Sequence, residues 1–581
     1  MFAFSIFCVA TGTARSKMTV QSLTGAVTAT EISSFESFMA GEAPPTTNTY
    51  DNTIADGTAG MESEALGLMY QVTDSTVFLN QMIAYADQFL ALRNNTNSGR
   101  IMWDGNRDPI WLTYPASSSD AGYAGCENND IVGHIADCAK LIFETPSLWN
   151  TTVPDGDPFG TGTTYYQRAQ TFMTQMDVTE TSYMLKWFIN PTNHEITAPA
   201  NAAWTALGES VNAWNRQMMF MNGFQRLSEC HQLLDDNPAK VAQYDAIVRA
   251  AMNWFVSGLE PYTTNGIPVY NWTYAPGSGG SEDNTLHSTY DIWGITRAWE
   301  SGRYGLSNAT LVPFANTLQE VMNVSTNHIS YYVNGTSSPN STRNYIYPGW
   351  MPIANFGAAT FPIMANMNIA QGSQADTAIF DAFILWVKNA RFIGAYPTNA
   401  NAMDFTISTP WIQNVTAGGS VICPVTLNPL AGFNGTVSLS VSHLPAGVAA
   451  SFNPASIANG SGTSMLTLTV SNSAAGGINA LANGLTVVGT SGLETRAAPI
   501  ALVVKPQPAI VAASLAGGSF LMSGTNGFAN ATFYLLGSSN VMLPLSQWTP
   551  LATNVFSTNG SFGVTNTINS GASQQFFMIQ Y

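Results

Sequence analysis

Residues 281–299 read Ser-Glu-Asp-Asn-Thr-Leu-His-Ser-Thr-Tyr-Asp-Ile-Trp-Gly-Ile-Thr-Arg-Ala-Trp, the densest set of reactive side chains in the sequence. In a helix, His287, Tyr290, Asp291, Gly294 and Arg297 fall at i, i+3, i+4, i+7 and i+10, on or near one face. Such a face is costly to bury against apolar neighbours. It is expected to line a wet cleft, with Glu282 and Asp283 at its start. The competing reading is a helix whose polar groups satisfy one another inside a large fold.

Three further clusters carry similar chemistry. Residues 102–111 place Trp103 and Trp111 around Asp104, Arg107 and Asp108. Aromatic faces with interleaved polar groups suit sugar rings, which offer apolar C–H faces and hydroxyl edges. The same tryptophans could simply wedge a loop, with Arg107 paired to an aspartate. Residues 126–134 place Glu127, Asn128 and Asn129 before His134 at a helix start. Asparagine there is most often a cap, but this set exceeds what a cap needs. Residues 212–217 hold Trp214, Asn215 and Arg216, and a guanidinium binds a carboxylate through two parallel hydrogen bonds. Tyr347 and Trp350, in a Gly/Pro-bearing loop, are expected to close one rim. Glu62 and Glu64 read as a solvated helix start, and His231 as structural or exposed.

Helical periodicity positions these clusters. Apolar residues at three- and four-residue spacing predict helices over 61–70, 76–93, 127–143, 164–187, 211–234, 238–258, 285–302, 308–323 and 375–391. Repeated antiparallel helix pairs suggest an (α/α) toroid or a solenoid. Without a fixed-period repeat, the toroid is preferred. From residue 403 the pattern alternates at period two between Gly, Asn and Pro turns, as in a β-sandwich. The expected organisation is multidomain. It comprises a signal segment (1–14), a linker with one short helix (15–58), an all-α toroid (59–400), a β-sandwich (401–506) and a smaller all-β module (507–581).

Composition narrows the function. The chain has 581 residues, 45% hydrophobic and only 9% charged, with a formal charge of −17. That balance opposes nucleic acid, which needs a basic footprint, and anionic membrane surfaces. Residues 1–14 resemble the apolar run and cleavage site of a secretion signal, without its basic start. A secreted or cell-surface location follows, with no membrane insertion expected. Cys8, Cys126, Cys138, Cys230 and Cys423 show no zinc-ligand spacing. Most are expected to be small buried hydrophobes. No cofactor is called for, and a divalent metal is left open. Twelve of the fourteen tryptophans precede residue 400, so the chemistry is placed in the helical region.

The inventory of Asn128-Asn129 with His134, then Asn215-Arg216, then His287-x-x-Tyr290-Asp291 with Arg297, resembles the alginate-lyase-like (α/α)-toroid polysaccharide lyases over residues 60–395. The resemblance rests on residue types and order. It implies a polysaccharide substrate. Asn128 or Asn129 with Arg216 would hold a uronate carboxylate. His134 or His287 would be base or neutraliser, and Tyr290 base and acid. Arg297 would lower the Tyr290 pKa. A toroid glycoside hydrolase is the rival, pairing Asp104 or Asp108 with Glu282, Asp283 or Asp291. A non-catalytic glycan-binding surface protein is the third reading. Residues 414–454 resemble the bacterial immunoglobulin-like modules of secreted enzymes. Residues 520–580 resemble C-terminal β modules whose usual role is cell-surface attachment.

Overall fold

The computed structural model describes residues 18–47, 53–113, 122–209, 211–277, 281–337, 346–371, 377–398, 403–430, 432–479, 484–569, 571 and 573–580. The expected signal segment lies outside them. The first element, α1 (Ala29–Met39), starts on a capping box. Thr28 Oγ1 accepts the Glu31 N–H, and the Glu31 carboxylate accepts the Thr28 N–H. That carboxylate also takes the buried Lys388 ammonium at 2.7 Å. The expected linker is thus partly an ordered helix pinned by a buried ion pair.

The other helices are α2 (Thr58–Thr73), α3 (Thr76–Ala91), α4 (Asn129–Phe143), α5 (Tyr165–Thr179), α6 (Leu185–Trp187), α7 (Ala202–Leu207), α8 (Trp214–Leu234), α9 (Pro238–Ser257), α10 (Ser288–Glu300), α11 (Asn308–Asn316), α12 (Thr360–Gln371) and α13 (Thr377–Phe392). Two expected helices carry π-helical turns near their ends, Glu180–Met184 and Thr317–Met322. A 3-10 segment spans Pro348–Asn355. Two small hairpins interrupt the helices: β1 (Glu260–Thr264) with β2 (Ile267–Asn271), and β3 (Asn323–Ser325) with β4 (His328–Ile329).

Packing closes a circuit. α2 lies on α4, α4 on α8, α8 on α10, α10 on Pro348–Asn355, that segment on α13, and α13 back on α2. The remaining long helices back this circuit: α3 on α2 and α4, α5 on α4, α9 on α8, α11 and α12 on Pro348–Asn355, and α1 on α13. The α4–α8 contact is the closest. A Cβ on Gly133 would meet Asn222 at 2.3 Å, and one on Gly223 would meet Asn129 at 2.6 Å. Asn222 donates to Asp130 Oδ1 at 2.7 Å, and Asn129 donates to the Phe220 carbonyl at 2.7 Å.

The facing sides of α2, α4 and α8 are charged. Arg226 reaches Glu64 (3.5 Å), Asp137 (2.9 Å) and Glu229 (3.6 Å). Lys140 reaches Glu229 (3.3 Å) and Glu144 (3.8 Å). His134 lies 3.5 Å from both Glu64 and Asp130. Glu64, expected in solvent, is only 3% exposed.

Two sheets follow. One runs β10 (Ser456–Ile457), β8 (Val437–Ser442), β13 (Leu485–Ser491), β14 (Glu494–Lys505), β12 (Gly477–Asn479), with β6 (Ile412–Thr416) parallel to β14. The other runs β5 (Asp404–Ser408), β7 (Ser420–Leu430), β11 (Gly462–Val470), β9 (Val448–Asn453). Leu427, Leu466, Val487 and Ile500 fill the space between them. This sandwich is fused to the helices rather than hung from them. Ile412, Ala501 and Val503 belong to the helical core. Asn414 donates to the Gln232 carbonyl at 2.8 Å, and the Trp411 ring lies 4.8 Å from Lys140 Nζ. The last unit has two three-stranded sheets. One is β15 (Ala509–Ala516), β16 (Ser519–Thr525) and β19 (Phe562–Thr567). The other is β18 (Thr549–Val555), β17 (Thr532–Ser538) and β20 (Phe576–Gln580).

Removing one member of a buried ion network strands its partners without solvent. Arg226→Met is therefore expected to destabilise the fold by about 3–5 kcal/mol. Helical circular dichroism during thermal unfolding reads this as a lowered midpoint, whereas the exposed Arg107→Met should leave the midpoint in place.

Candidate functional site

The elements of the circuit begin at one end. The starts of α10 and Pro348–Asn355 touch: a Cβ on Gly349 would sit 2.4 Å from the Thr289 carbonyl, and Trp350 Nε1 donates to Ser288 Oγ at 3.2 Å. The approach to α2 reaches α10, because Tyr290 donates its hydroxyl to the Asp56 carbonyl at 3.1 Å. The 3-10 turn Cys126–Asn128 leading into α4 lies against α8. Helix N-termini carry partial positive charge, and several gather at this mouth.

Its chemistry centres on His287. The Asn284 side-chain oxygen accepts the N–H groups of Leu286 (2.9 Å) and His287 (3.2 Å). That orientation turns the Asn284 amide nitrogen toward His287 Nδ1, at 3.0 Å. An amide nitrogen only donates, so Nδ1 must accept and the neutral ring carries its proton on Nε2. Burial and then the Arg216 charge push the imidazole pKa down to about 4. His287 is thus a neutral hydrogen-bond donor around pH 7. Asp283 Oδ1, at 3.9 Å from Nδ1, is too far to hydrogen-bond.

Tyr274 packs against this ring in a tilted arrangement, with centroids 4.6 Å apart and planes at 43°. Its carbonyl accepts the Trp214 N–H at 3.1 Å, tying it to the start of α8. Burial raises the Tyr274 pKa and Arg216 opposes that rise. For Arg216 itself, burial opposes the charge, but Glu127, with smaller help from Cys126, Tyr274 and Glu209, outweighs it, so the guanidinium stays protonated. Arg216 also lies 3.5 Å from Glu209. Behind His287, Asp283 and Asp291 share one indole donor, Trp272 Nε1, at 3.1 and 3.0 Å. Burial pushes Asp283 up to about 6 and Asp291 well above its usual range. Two buried carboxyls that close hold a proton between them.

The structure brings His287, Arg216 and Glu127 together and puts other sequence candidates elsewhere. His134 is a correction. It is buried in the ion network, with Nε2 2.8 Å from the Ala55 carbonyl, and Asp130 and Glu64 hold it protonated, against burial, up to about 10. Asn129 stitches α4 to α8, and Asn128 is buried beside it. Arg297 points into the ion network among Arg226, Glu64 and Asp130 rather than activating a tyrosine. Trp111 donates to the Phe89 carbonyl at 2.7 Å, inside the fold. Trp214 packs on Trp254 and Phe255. Trp350 is fully buried against Trp272, and Tyr347 lies on Phe380. Asn215 is buried, and Glu282 is half-buried at a β-bridge to Thr273.

The 102–111 loop is a wedge. Trp103 nests among Trp187 and Trp204 and donates to Tyr183 Oη at 2.9 Å, which donates to the Ala124 carbonyl at 2.8 Å. Asp104 pairs with Lys186 at 3.2 Å, and Arg107 Nε donates to the Gly99 carbonyl at 2.7 Å. Burial, then Asp104, push Asp108 up to about 6. Cys126, Cys138, Cys230 and Cys423 are separate buried thiols. Tyr274 and Asn284 went unnoticed in the sequence. Tyr274 precedes His287 by thirteen residues, at no helical spacing, and the Thr273–Glu282 bridge folds it back.

No family model matches the chain, and no curated protein matches it. Among solved structures it is similar to domains 4 and 5 of the S-layer protein SbsC, at 18% identity and TM-score 0.14, covering 18% of this chain and about half (52%) of that one. It is similar to a marsupial T cell receptor at 8% identity and TM-score 0.14, over 31% of this chain and 96% of the other. It is similar to a GH127 β-arabinofuranosidase at 8% identity and TM-score 0.28, over 91% of both chains. These likenesses are too slight to assign chemistry.

The tautomer has a direct check. In Asn284→Asp a carboxylate would face Nδ1 and favour the imidazolium, raising the His287 pKa by about 1–3 units. NMR titration of the imidazole C–H signals should show the wild-type ring neutral down to about pH 4 and the variant titrating higher.

Proposed function

We propose that this chain is a secreted carbohydrate-active enzyme, a lyase that cleaves a uronate-containing polysaccharide by β-elimination at the His287 mouth. The closed circuit of helices is read as an (α/α) toroid, the sandwich as immunoglobulin-like, and the last module as a surface attachment. The observation that carries the reading is the neutral His287, fixed by Asn284 as an Nε2–H donor, beside Arg216 and Tyr274.

Elimination needs three things from the site. A uronate carboxylate must be neutralised, so that the proton on the adjacent carbon becomes removable. Arg216 and the His287 Nε2–H supply that, aided by the helix N-termini. A base must take the proton, and an acid must protonate the leaving glycosidic oxygen. Tyr274 serves both from its phenolate: it takes the proton from carbon, becoming the phenol, and then gives that proton to the leaving oxygen, returning to the phenolate. Arg216 lowers the cost of the phenolate, against burial. Tyr290, 8% exposed and donating to a backbone carbonyl, is assigned to structure instead.

Hydrolysis would need two carboxyl groups facing each other across an open cleft. Of the carboxylates named for that role, Asp104 is committed to Lys186, Asp283 and Asp291 to one indole N–H, and Asp108 is buried beside Asp104 in the 102–111 wedge, which leaves Glu282, half-buried at its β-bridge. This supports elimination over hydrolysis.

Incubation with a panel of acidic and neutral polysaccharides should generate the ultraviolet absorbance of an unsaturated uronate. Reducing ends without that absorbance would mean hydrolysis, and silence on every substrate would favour a glycan binder. Tyr274→Phe should cut kcat by about 10²–10⁴-fold, while Tyr290→Phe should retain most activity. The reverse ranking would return the acid–base role to Tyr290.

A further inference from the structure

We infer that the C-terminal module is a self-association surface, through which two copies of this chain pair edge to edge along β15. The inference is independent of the catalytic reading. Its first support is charge. From residue 506 to 581 the sequence contains no Asp, Glu, Lys, Arg or His. All 36 acidic and 19 basic side chains precede it. A second copy approaching the helical region, residues 1–400, meets the whole net charge of −17; the sandwich, with Asp404, Glu494, Arg496 and Lys505, is net neutral, and at this module no charge at all has to be desolvated or opposed.

The second support is the strand itself. Among the described residues β15 is an edge strand, paired on one side to β16. All eight of its residues are exposed, with Ile510 at 56%, Val511 at 69% and Leu515 at 72%. Registration puts Leu515 opposite Phe520 and Ala513 opposite Met522. Met522 and Phe520 point into the module's small core, so Leu515 and Ala513 project on the inward face, yet they remain uncovered. The second sheet, β18–β17–β20, therefore does not reach across β15.

Folded proteins guard such edges with charges, prolines or bulges. β15 has a bulge at Ile510–Ala512, but Ala512, Ala513, Ser514, Leu515 and Ala516 beyond it run regular, uncharged and without proline. Antiparallel pairing of β15 with its own copy satisfies both free edges by one two-fold axis and closes the assembly. It also brings Leu515 of each chain toward apolar surface of the other.

Sedimentation velocity or light scattering on the full chain tests this. The wild type should approach twice 62.1 kDa with rising concentration. Added salt should strengthen the dimer, by screening the acidic remainder without weakening an apolar contact. Leu515→Lys should shift the mass to one chain. Leu493→Lys, at a fully exposed position in the sandwich, should leave the dimer intact. A wild type that stays monomeric throughout, a Leu515→Lys dimer, or open-ended assembly instead of a closed pair would each overturn the inference. So would a monomer retained only on apolar matrices.

Discussion

The Arg226 guanidinium, with Glu64, Asp137 and Glu229 around it, is the constraint on which the helical unit turns. These carboxylates come from three different helices, so the arginine fixes the rotation of α2, α4 and α8 about their own axes at once. The wider network comes within about one charge of balance. Burial pushes Glu144 and Glu300 up to about 7, so each is close to half-protonated near neutral pH. The remaining acids, Glu64, Asp130, Asp137 and Glu229, then face four bases, His134, Lys140, Arg226 and Arg297. Glu64 is held down at about 2 because His134 and Arg226 outweigh its burial. Buried ion pairs are weak sources of net stability, since desolvation consumes most of the Coulomb gain. What they supply here is a defined geometry, since any other rotation of a helix would leave a charge stranded.

That geometry explains which polar residues are left for a site. His134 is spent on the network and on the Ala55 carbonyl, and Tyr290 on the Asp56 carbonyl. The backbone that takes them up, between α1 and α2, is itself buried at Ile54 and Ala55. Space there is tight, for a Cβ on Gly60 would lie 2.1 Å from the Ala55 carbonyl. Polar side chains one turn nearer the helix starts escape this enclosure. His287 and Arg216 are about one-third exposed in their side chains, whereas the carboxyls behind them are sealed.

Much of the helical plan was legible because apolar periodicity reports burial directly. Residues 238–258 appear as Pro238–Ser257 and 76–93 as Thr76–Ala91. The segment Pro348–Asn355 was not legible as an element, since eight residues with two prolines give no period. The interrupted ends at Glu180–Met184 and Thr317–Met322 leave no compositional trace either. For the site, the 281–299 stretch was found by residue type, but role depends on direction. Glu64 looked solvated because an acid near a helix start usually is. Here its side faces the other helices. Tyr274 was invisible for the opposite reason. A β-bridge, rather than spacing, brings it onto His287, and pairing between distant strands is not written in local periodicity.

An acidic chain acting on an acidic polymer, as proposed above, raises a question of range. At physiological salt a charge is felt over about 8 Å. The net −17 is spread over the first 400 residues, so it slows encounter more than it shapes the field at one mouth. At this end of the helices the fixed positive charges are Arg216 and the helix N-termini. Glu127 and Glu209 offset part of Arg216, which keeps the resting site near neutral and makes a substrate carboxylate compete for the guanidinium. A neutral His287 matters most in that setting. An imidazolium would hold a ground-state carboxylate tightly, whereas a neutral Nε2–H donor interacts more strongly as charge builds on the carboxylate oxygens during proton removal. In the elimination proposed, Asn284, by fixing the tautomer, would favour the reacting state over the bound one.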